Sequence, residues 1–199
     1  MPAFACGGRS SGLRIASAGA LADTVLRDAA ARLVAIGHRR ITILSPRIWR
    51  EPAPAKMVRD ALLEMEEHGI RTGTFNLPDW DETPGGLYAL LDALFATTPP
   101  TALLVGRTIW LEAVKDFLLM RRLSVPDQVS LVSLHPCHED AHWQRPLIAH
   151  GLADDAAVHR RIRHWLRSLE QGKDNRKQYQ IPMHFVETGS IGPIHPDAQ

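Results

Sequence analysis

The chain has 199 residues, 45% of them hydrophobic and 23% charged, a balance that suits a folded globular domain and excludes a disordered one. Its 23 basic and 22 acidic side chains leave a formal net charge of +1, which excludes a dedicated nucleic-acid module with concentrated positive charge. No run reaches the ~18 apolar residues of a membrane-spanning helix, the start lacks the apolar core of a secretory signal, and two distant cysteines, Cys6 and Cys137, make no disulfide framework and fit a reducing cytoplasm.

Residues 1–12 are small and rich in glycine and serine, and read as a flexible N-terminal segment. Leu13–Ala16 is a candidate strand. Leu21, Val25, Ala29, Leu33 and Ile36 recur at helical spacing, with Gly37 where a left-handed C-cap belongs. Arg40–Ser45 is a short apolar run with β-branched residues, the mark of a buried strand. Pro54 suits the first turn of a second helix, with Met57, Ala61, Leu62 and Met65 on one face and Gly69 as its stop. Thr72–Leu77 is expected to form a strand. Thr83-Pro84 reads as the N-cap and first residue of a helix carrying Leu87, Leu90, Leu91 and Leu94.

Thr101–Val105 is the next strand, and Ile109, Ala113, Phe117 and Leu118 mark the next helix. Pro126-Asp127 turns the chain into the strand Val129–Leu134. Short apolar strands alternating with amphipathic helices indicate an α/β fold, a parallel sheet with helices on both faces. Val158, Ile162, Trp165, Leu166 and Leu169 then form a helical stripe stopped by Gly172, Ile181–Val186 is the last strand, and the chain beyond Gly189 reads as loose.

In an open parallel sheet, ligands bind beyond the carboxyl ends of the strands. Here those loops begin near Pro46, Pro78, Gly106 and His135, and Trp49, Trp80, Trp110 and Trp143 fall in or just after them. Indole faces suit a sugar or another flat, partly apolar ligand; the competing reading places the tryptophans in the core, Trp110 above all. Arg47, Asp79, Arg107, Thr108 and His135 are polar groups placed to orient a ligand, although loop arginines commonly only face solvent.

The stretch from His135 to His142 gathers imidazoles, the Cys137 thiol and Glu139, but its spacing matches no zinc pattern, and the neighbours Cys137 and His138 point apart. A polar loop is the plainer reading, and no metal is expected. Cys137 resembles a paired nucleophile only by proximity to histidines. With no phosphate loop, nucleophile elbow or dinucleotide fingerprint, no cofactor and no catalytic residue are assigned. Asp79, Asp81 and Glu82 form an acidic turn rather than a glycosidase pair. Arg160, Arg161, Arg163 and Arg167 read as the solvated face of the last helix.

Five passages follow one another in a consistent order and spacing: RLVAIGHRRITILS (Arg32–Ser45), TPPTALLVGRT (Thr98–Thr108), LSVPDQVSLVSL (Leu123–Leu134), RPLIAH (Arg145–His150) and IPMHFVETGSIGP (Ile181–Pro193). Together they resemble the effector domain of the lactose/galactose-repressor (LacI/GalR) family, with Gly37-His38-Arg39-Arg40-Ile41 as the hallmark. The third passage is close to that family's glycine-leucine-x-valine-proline segment. The resemblance implies a fold like that of periplasmic sugar-binding proteins, two α/β lobes with a small effector, often a sugar or nucleobase, between them. It further implies a cytoplasmic homodimer with no membrane contact that reaches DNA through an N-terminal helix-turn-helix.

On that template residues 13–150 are the effector-binding C-terminal lobe, residues 151–193 are the helix and strand returning to the N-terminal lobe and hinge, and residues 194–199 are a loose tail. The helix-turn-helix and most of the N-terminal lobe are missing from these 199 residues. The stripe Ile162, Trp165, Leu166 and Leu169 would then leave an apolar patch exposed. The candidate ligand-binding set is Arg47, Trp49, Trp80, Arg107, Thr108 and His135. The chain departs from the family where a sugar would be held: Met57, beside Lys56, stands for an effector-binding arginine, Arg107-Thr108 for asparagine-aspartate, His135 for aspartate and Leu21-Ala22 for aspartate-asparagine. Either the effector differs from a free sugar or sensing has drifted. Two alternatives are a transport-type solute-binding protein, which calls for an upstream signal peptide, and an enzyme built around His135 and Cys137.

Overall fold

The elements in chain order are β1 (Phe4–Cys6), β2 (Ala16–Leu21), α1 (Val25–Ala35), β3 (Ile41–Leu44), α2 (Arg47–Arg50), α3 (Lys56–Glu67), α4 (Pro84–Thr97), β4 (Ala102–Val105), α5 (Thr108–Met120), β5 (Ser130–Ser133), β6 (Ala149–Ala153), α6 (Asp155–Glu170) and β7 (Gln178–Val186). The structure, a computed structural model, describes residues 1–6, 12–135 and 146–194.

The strands form one sheet of seven in the order β1-β2-β7-β6-β5-β4-β3. Every described pair is parallel except β6 with β7. The central strands are apolar on both faces because both faces are covered. Ile41 and Ile43 of β3, Ala102 and Leu104 of β4 and Val132 of β5 pack with α1 and α3 in one core. Leu44, Leu103, Val105 and Leu131 pack with α4 and α5 in the other. The two-residue alternation of each strand thus divides its side chains between two helical layers.

Helix stops are local. Gly37, Gly69 and Gly172 all adopt positive φ, where a side chain would be strained. At the end of α1 the Gly37 N–H donates to Val34 O at 3.0 Å and the His38 N–H to Leu33 O at 3.0 Å, the paired bonds of a Schellman cap. α5 ends with the same pair, from Arg122 to Leu119 O and from Leu123 to Leu118 O, both 2.9 Å. Here the left-handed residue is Arg122, at φ 56°.

The cap at Gly37 delivers His38 into the core, 2% exposed. Its Nδ1 lies 2.9 Å from Thr101 Oγ1 and its Nε2 3.0 Å from Gly192 O. A carbonyl only accepts, so Nε2 carries the proton and Nδ1 accepts from the threonine. Ser130 completes the cluster, its Oγ accepting from the Gly192 N–H at 3.1 Å. One side chain therefore joins the end of α1 to the approaches of β4 and β5 and to the segment after β7. Burial holds the His38 imidazole below its ordinary range, opposed by the Gly192 hydrogen bond.

The structure corrects four elements of the sequence reading. Thr72–Leu77 is not a strand: Asn76 Oδ1 accepts from the Gly73 N–H at 3.1 Å and the Asn76 and Leu77 amides return to Gly73 O, so the chain turns on itself. It still borders β3, through Asn76 O accepting from Ile43 at 2.8 Å and Asn76 Nδ2 donating to Ile41 O at 2.9 Å. The strand placed at Leu13–Ala16 is instead Ala16–Leu21, so the first helix starts at Val25 and not at Leu21. Phe4–Cys6, read as loop, pairs with β2. β6 was legible only as part of the family resemblance. The stripe on α6 is only partly open, against the expectation of an exposed apolar patch: Leu166 is exposed, but Ile162, Trp165 and Leu169 are half-buried, with Trp165 5.2 Å from the Phe4 ring.

Arg122→Gly removes the cost of a side chain in the left-handed region, about 1–2 kcal/mol, against the extra entropy glycine loses. The expected net gain is about 0.5–1 kcal/mol, seen as a Tm higher by roughly 1–4 °C. The second outcome concerns pH. The unfolded chain takes up the His38 proton near the ordinary value of 6.5, whereas the folded state resists it. Stability is therefore fully present above that value and is lost as pH falls below it. Urea denaturation at about pH 7.5 and pH 5 will show a lower midpoint in acid, and His38→Gln will reduce the difference.

Candidate functional site

Register decides where the loops emerge. Leu44 is paired with Val105, and Val105 with Ser133, so β3, β4 and β5 end in one row. The chain leaves that row as Ser45-Pro46-Arg47, Gly106-Arg107 and Leu134-His135. The row continues past the strands, with Gly106 donating to Leu44 O at 2.8 Å and Leu134 to Val105 O at 2.9 Å. A Cβ on Gly106 would meet Leu44 O at 2.8 Å and Pro46 Cδ at 2.9 Å, so only glycine fits between the two loops.

Two of these loops repeat one pattern. Arg47-Ile48-Trp49 follows β3 and forms α2; Arg107-Thr108-Ile109-Trp110 follows β4 and opens α5. In each, the arginine is exposed, the isoleucine is exposed (Ile48 80%, Ile109 71%) and the tryptophan turns inward. Trp110 is 8% exposed and belongs to the α4–α5 core, which bears out the core reading for that residue. Trp49 is half-buried, with its ring centre 6.3 Å from that of His135.

The 78–82 loop beside them, which follows no strand, is tied down by Arg50, which sequence reasoning missed. Its side chain is 5% exposed and pairs with Asp79 and, at 3.5 Å, with Glu82. It also donates to Pro78 O and Trp80 O, both at 3.2 Å. Its guanidinium lies 5.8 Å from the Trp80 ring centre, Trp80 meets Trp110 edge-on at 4.8 Å, and the Arg107 guanidinium lies 5.5 Å over Trp110. Two indoles in edge contact thus lie between two cations, from Arg50 through Trp80 and Trp110 to Arg107. The available signal for Arg50 was the acidic turn itself: three carboxylates within four residues call for a cation.

Two adjoining hollows open among these residues. One, about 630 Å³, is lined by Pro46, Arg47, Ile48, Glu51, Pro52, Glu82 and Arg107. The other, about 460 Å³, is lined by Arg47, Glu51, Asp79, Trp80, Asp81 and Glu82. Of the predicted set, Arg47, Trp80 and Arg107 line these hollows. Thr108 is half-buried at the start of α5, and the Trp49 and His135 rings lie tilted to one another beside Gly106. Trp143, Cys137, His138, Glu139 and His142 lie outside the described residues.

Each carboxylate of the hollows has a protein partner. Glu51 accepts from Arg47 at 2.7 Å, Asp79 is paired with Arg50, Glu82 accepts from the Arg47 N–H, and Asp81 accepts from the Thr83 hydroxyl at 3.3 Å. Arg107 has no ion-pair partner among the described residues. Burial, and to a smaller extent the Arg107 charge, lower the His135 pKa, opposed by a hydrogen bond with the Gly106 backbone. The imidazole is neutral at neutral pH, leaving Arg107 as the charge on that side. Ser45 Oγ, Arg50 Nε and Trp80 Nε1 are buried and unpartnered among the described residues, and all three can donate. The arginine that the resemblance leads one to expect is Met57, 9% exposed and packed in the core. Among the described residues no group of His, Cys, Asp and Glu is placed to hold a metal ion, and no helix is long and apolar enough to cross a membrane.

Arg50→Ala will free the 78–82 loop, leaving two carbonyls and the acidic turn without their common donor. Loss of charged hydrogen bonds on this scale costs about 2–3 kcal/mol. Denaturation midpoints measure that loss, and hydrogen exchange will show faster amide exchange across residues 78–82.

A family model described as a periplasmic binding protein-like domain matches residues 30–190. No curated protein matches the chain. Several solved structures share its fold. A LacI-family transcriptional regulator from Enterococcus faecium, solved with bound ribose, has TM-score 0.74 at 13% identity, over 98% of this chain and 72% of that one. A LacI transcriptional regulator from a Rhodococcus species has TM-score 0.69 at 22% identity, over 97% of this chain and 70% of that one. A sugar-binding LacI-family regulator from Escherichia coli, complexed with phosphate, has TM-score 0.67 at 18% identity, over 89% of this chain and 63% of that one. At these identities the likeness is one of fold, and this chain spans only part of each regulator's length.

Proposed function

This chain belongs to the periplasmic binding protein-like domain family, and from that premise we propose that it is the effector-sensing part of a transcription regulator of the lactose/galactose-repressor kind. The observation that carries the reading is the meeting of the loops after β3 and β4 with the 78–82 loop, which sets two hollows, two exposed arginines and the indole of Trp80 side by side. The ligand-binding residues in this reading are Arg47, Trp49, Trp80, Arg107, Thr108 and His135. The role is binding rather than catalysis. The ribose and phosphate seen in regulators of like fold support a small polar effector.

Effector occupancy in this scheme biases a two-state arrangement of lobes, and so the spacing of DNA-binding heads in a cytoplasmic homodimer. DNA contact falls to a helix-turn-helix outside these 199 residues.

A thermal-shift screen of sugars, sugar phosphates and nucleobases tests the proposal. A ligand present at 100 times its Kd stabilises the folded state by about 2.7 kcal/mol. In a domain of this size that is a rise of roughly 5–10 °C. A flat response across the screen, together with upstream DNA encoding no helix-turn-helix, would overturn the reading.

A further inference from the structure

Resting on the sensor reading, we infer that the effector carries an anionic group, a carboxylate or phosphate ester, on a largely apolar body, and that Arg107 holds the anion. The rim contains the charges Arg47, Arg50, Arg107, Glu51, Asp79, Asp81 and Glu82, and their pairing is uneven. Arg50 is taken by Asp79 and Glu82, and Arg47 by Glu51. Asp81 takes the Thr83 hydroxyl. Arg107 alone of these side chains rests on a ring and not on a polar partner among the described residues, 5.5 Å over Trp110.

That ring fixes its place. Trp110 is buried and wedged against Trp80 at 4.8 Å. The guanidinium is thus held over a rigid indole at the margin of the larger hollow, with its donors left for a ligand. A guanidinium matches a carboxylate or phosphate through paired N–H donors.

The remaining wall argues against a bare sugar. Pro46, Ile48 and Pro52 supply apolar surface to the hollow that Arg107 lines. Hydroxyl-rich ligands are oriented by side chains that accept hydrogen bonds, and the carboxylates here already have protein partners. Trp80, which lines the smaller hollow, has a buried indole N–H without a partner among the described residues, and it can only donate. Positions where the resemblance leads one to expect asparagine-aspartate and aspartate hold Arg107-Thr108 and His135, so acceptors have given way to a cation and a neutral ring.

The test is calorimetric titration and thermal shift on the full 199-residue chain, with ribose, ribose 5-phosphate, benzoate, hexanoate, inorganic phosphate and sulfate as probes. The expected result is binding of at least one organic anion, absent for ribose and weaker for the inorganic ions. Arg107→Gln should weaken that binding by about 10- to 100-fold, the range set by loss of a charged hydrogen bond. Arg107→Lys should retain part of it. Arg121→Gln is the control: it removes another exposed arginine that sits over a ring, that of Phe117 at 5.3 Å, away from the hollows, and should leave binding unchanged. Circular dichroism will confirm that each variant is folded.

Ribose binding as tightly as its phosphate, or Arg107→Gln binding the anions as the parent does, overturns the anion assignment and leaves the sensor reading intact. Equal shifts from sulfate and the organic anions, or silence from every probe, also overturn it. The wider sugar and nucleobase screen decides the sensor reading separately.

Discussion

The alignment of Leu44, Val105 and Ser133 in one row is the constraint on which the candidate site depends. Parallel strands covered by helices on both faces leave only their ends for function, and the βα loops all leave from the same end. Equal strand ends bring those loops within reach of one another. The price of that closeness is Gly106, whose missing side chain lets the β3 and β4 loops meet backbone to backbone. A register shift of one residue would also exchange the two apolar layers, because each central strand divides its side chains between them.

Charge at the rim is organised by burial. Arg50 is almost wholly buried, and a guanidinium out of water needs acceptors in fixed directions. Asp79, Glu82 and the carbonyls of Pro78 and Trp80 supply them. Asp79 and Glu82 of the acidic turn therefore act largely as structural counter-ions, whereas Asp81 accepts from the Thr83 hydroxyl. Arg47 and Arg107, three and two residues beyond the paired strand ends Leu44 and Val105, differ in their neighbours: one has Glu51 on the next turn of its helix, the other has an aromatic face.

The opposite end of the lobe is closed by a different device. His38 joins elements distant in sequence through hydrogen bonds to Thr101, Ser130 and Gly192. The segment after β7 is held further by Ser190, whose Oγ accepts from Ala149 at 2.8 Å and whose carbonyl accepts from Leu131 at 2.9 Å. The His38 cluster and the candidate site are thus at opposite ends of the same strands. α6 contrasts with both: it is amphipathic, yet no residue on it is fully buried, and it packs on β2 and β7, with Trp165 against Phe4.

Periodicity and local stops were legible in the chain. α1, α3, α4, α5 and α6 follow their apolar spacing, Gly37, Gly69 and Gly172 end helices where expected, and Thr83-Pro84 caps α4, with Thr83 Oγ1 accepting from Gly86 at 3.0 Å. These features rest on residues within a few positions of one another, so the sequence carries them directly. The same holds for the sheet edge from which Arg47, Arg107 and His135 emerge, since each follows an apolar run. What the sequence by itself determined was therefore the α/β layering and the set of loops that carry the candidate site. Only the tertiary structure decided that Trp110 is core while Trp49 meets His135, that Arg50 claims the acidic turn, that Arg107 is left over, and that residues 72–77 turn instead of extending. Those outcomes depend on partners some 30 to 90 residues away or on a side chain folding back to its own backbone, as in Arg50 with Asp79 and Trp49 with His135. Competition among such partners is settled by distance and burial in space, which spacing along the chain does not encode.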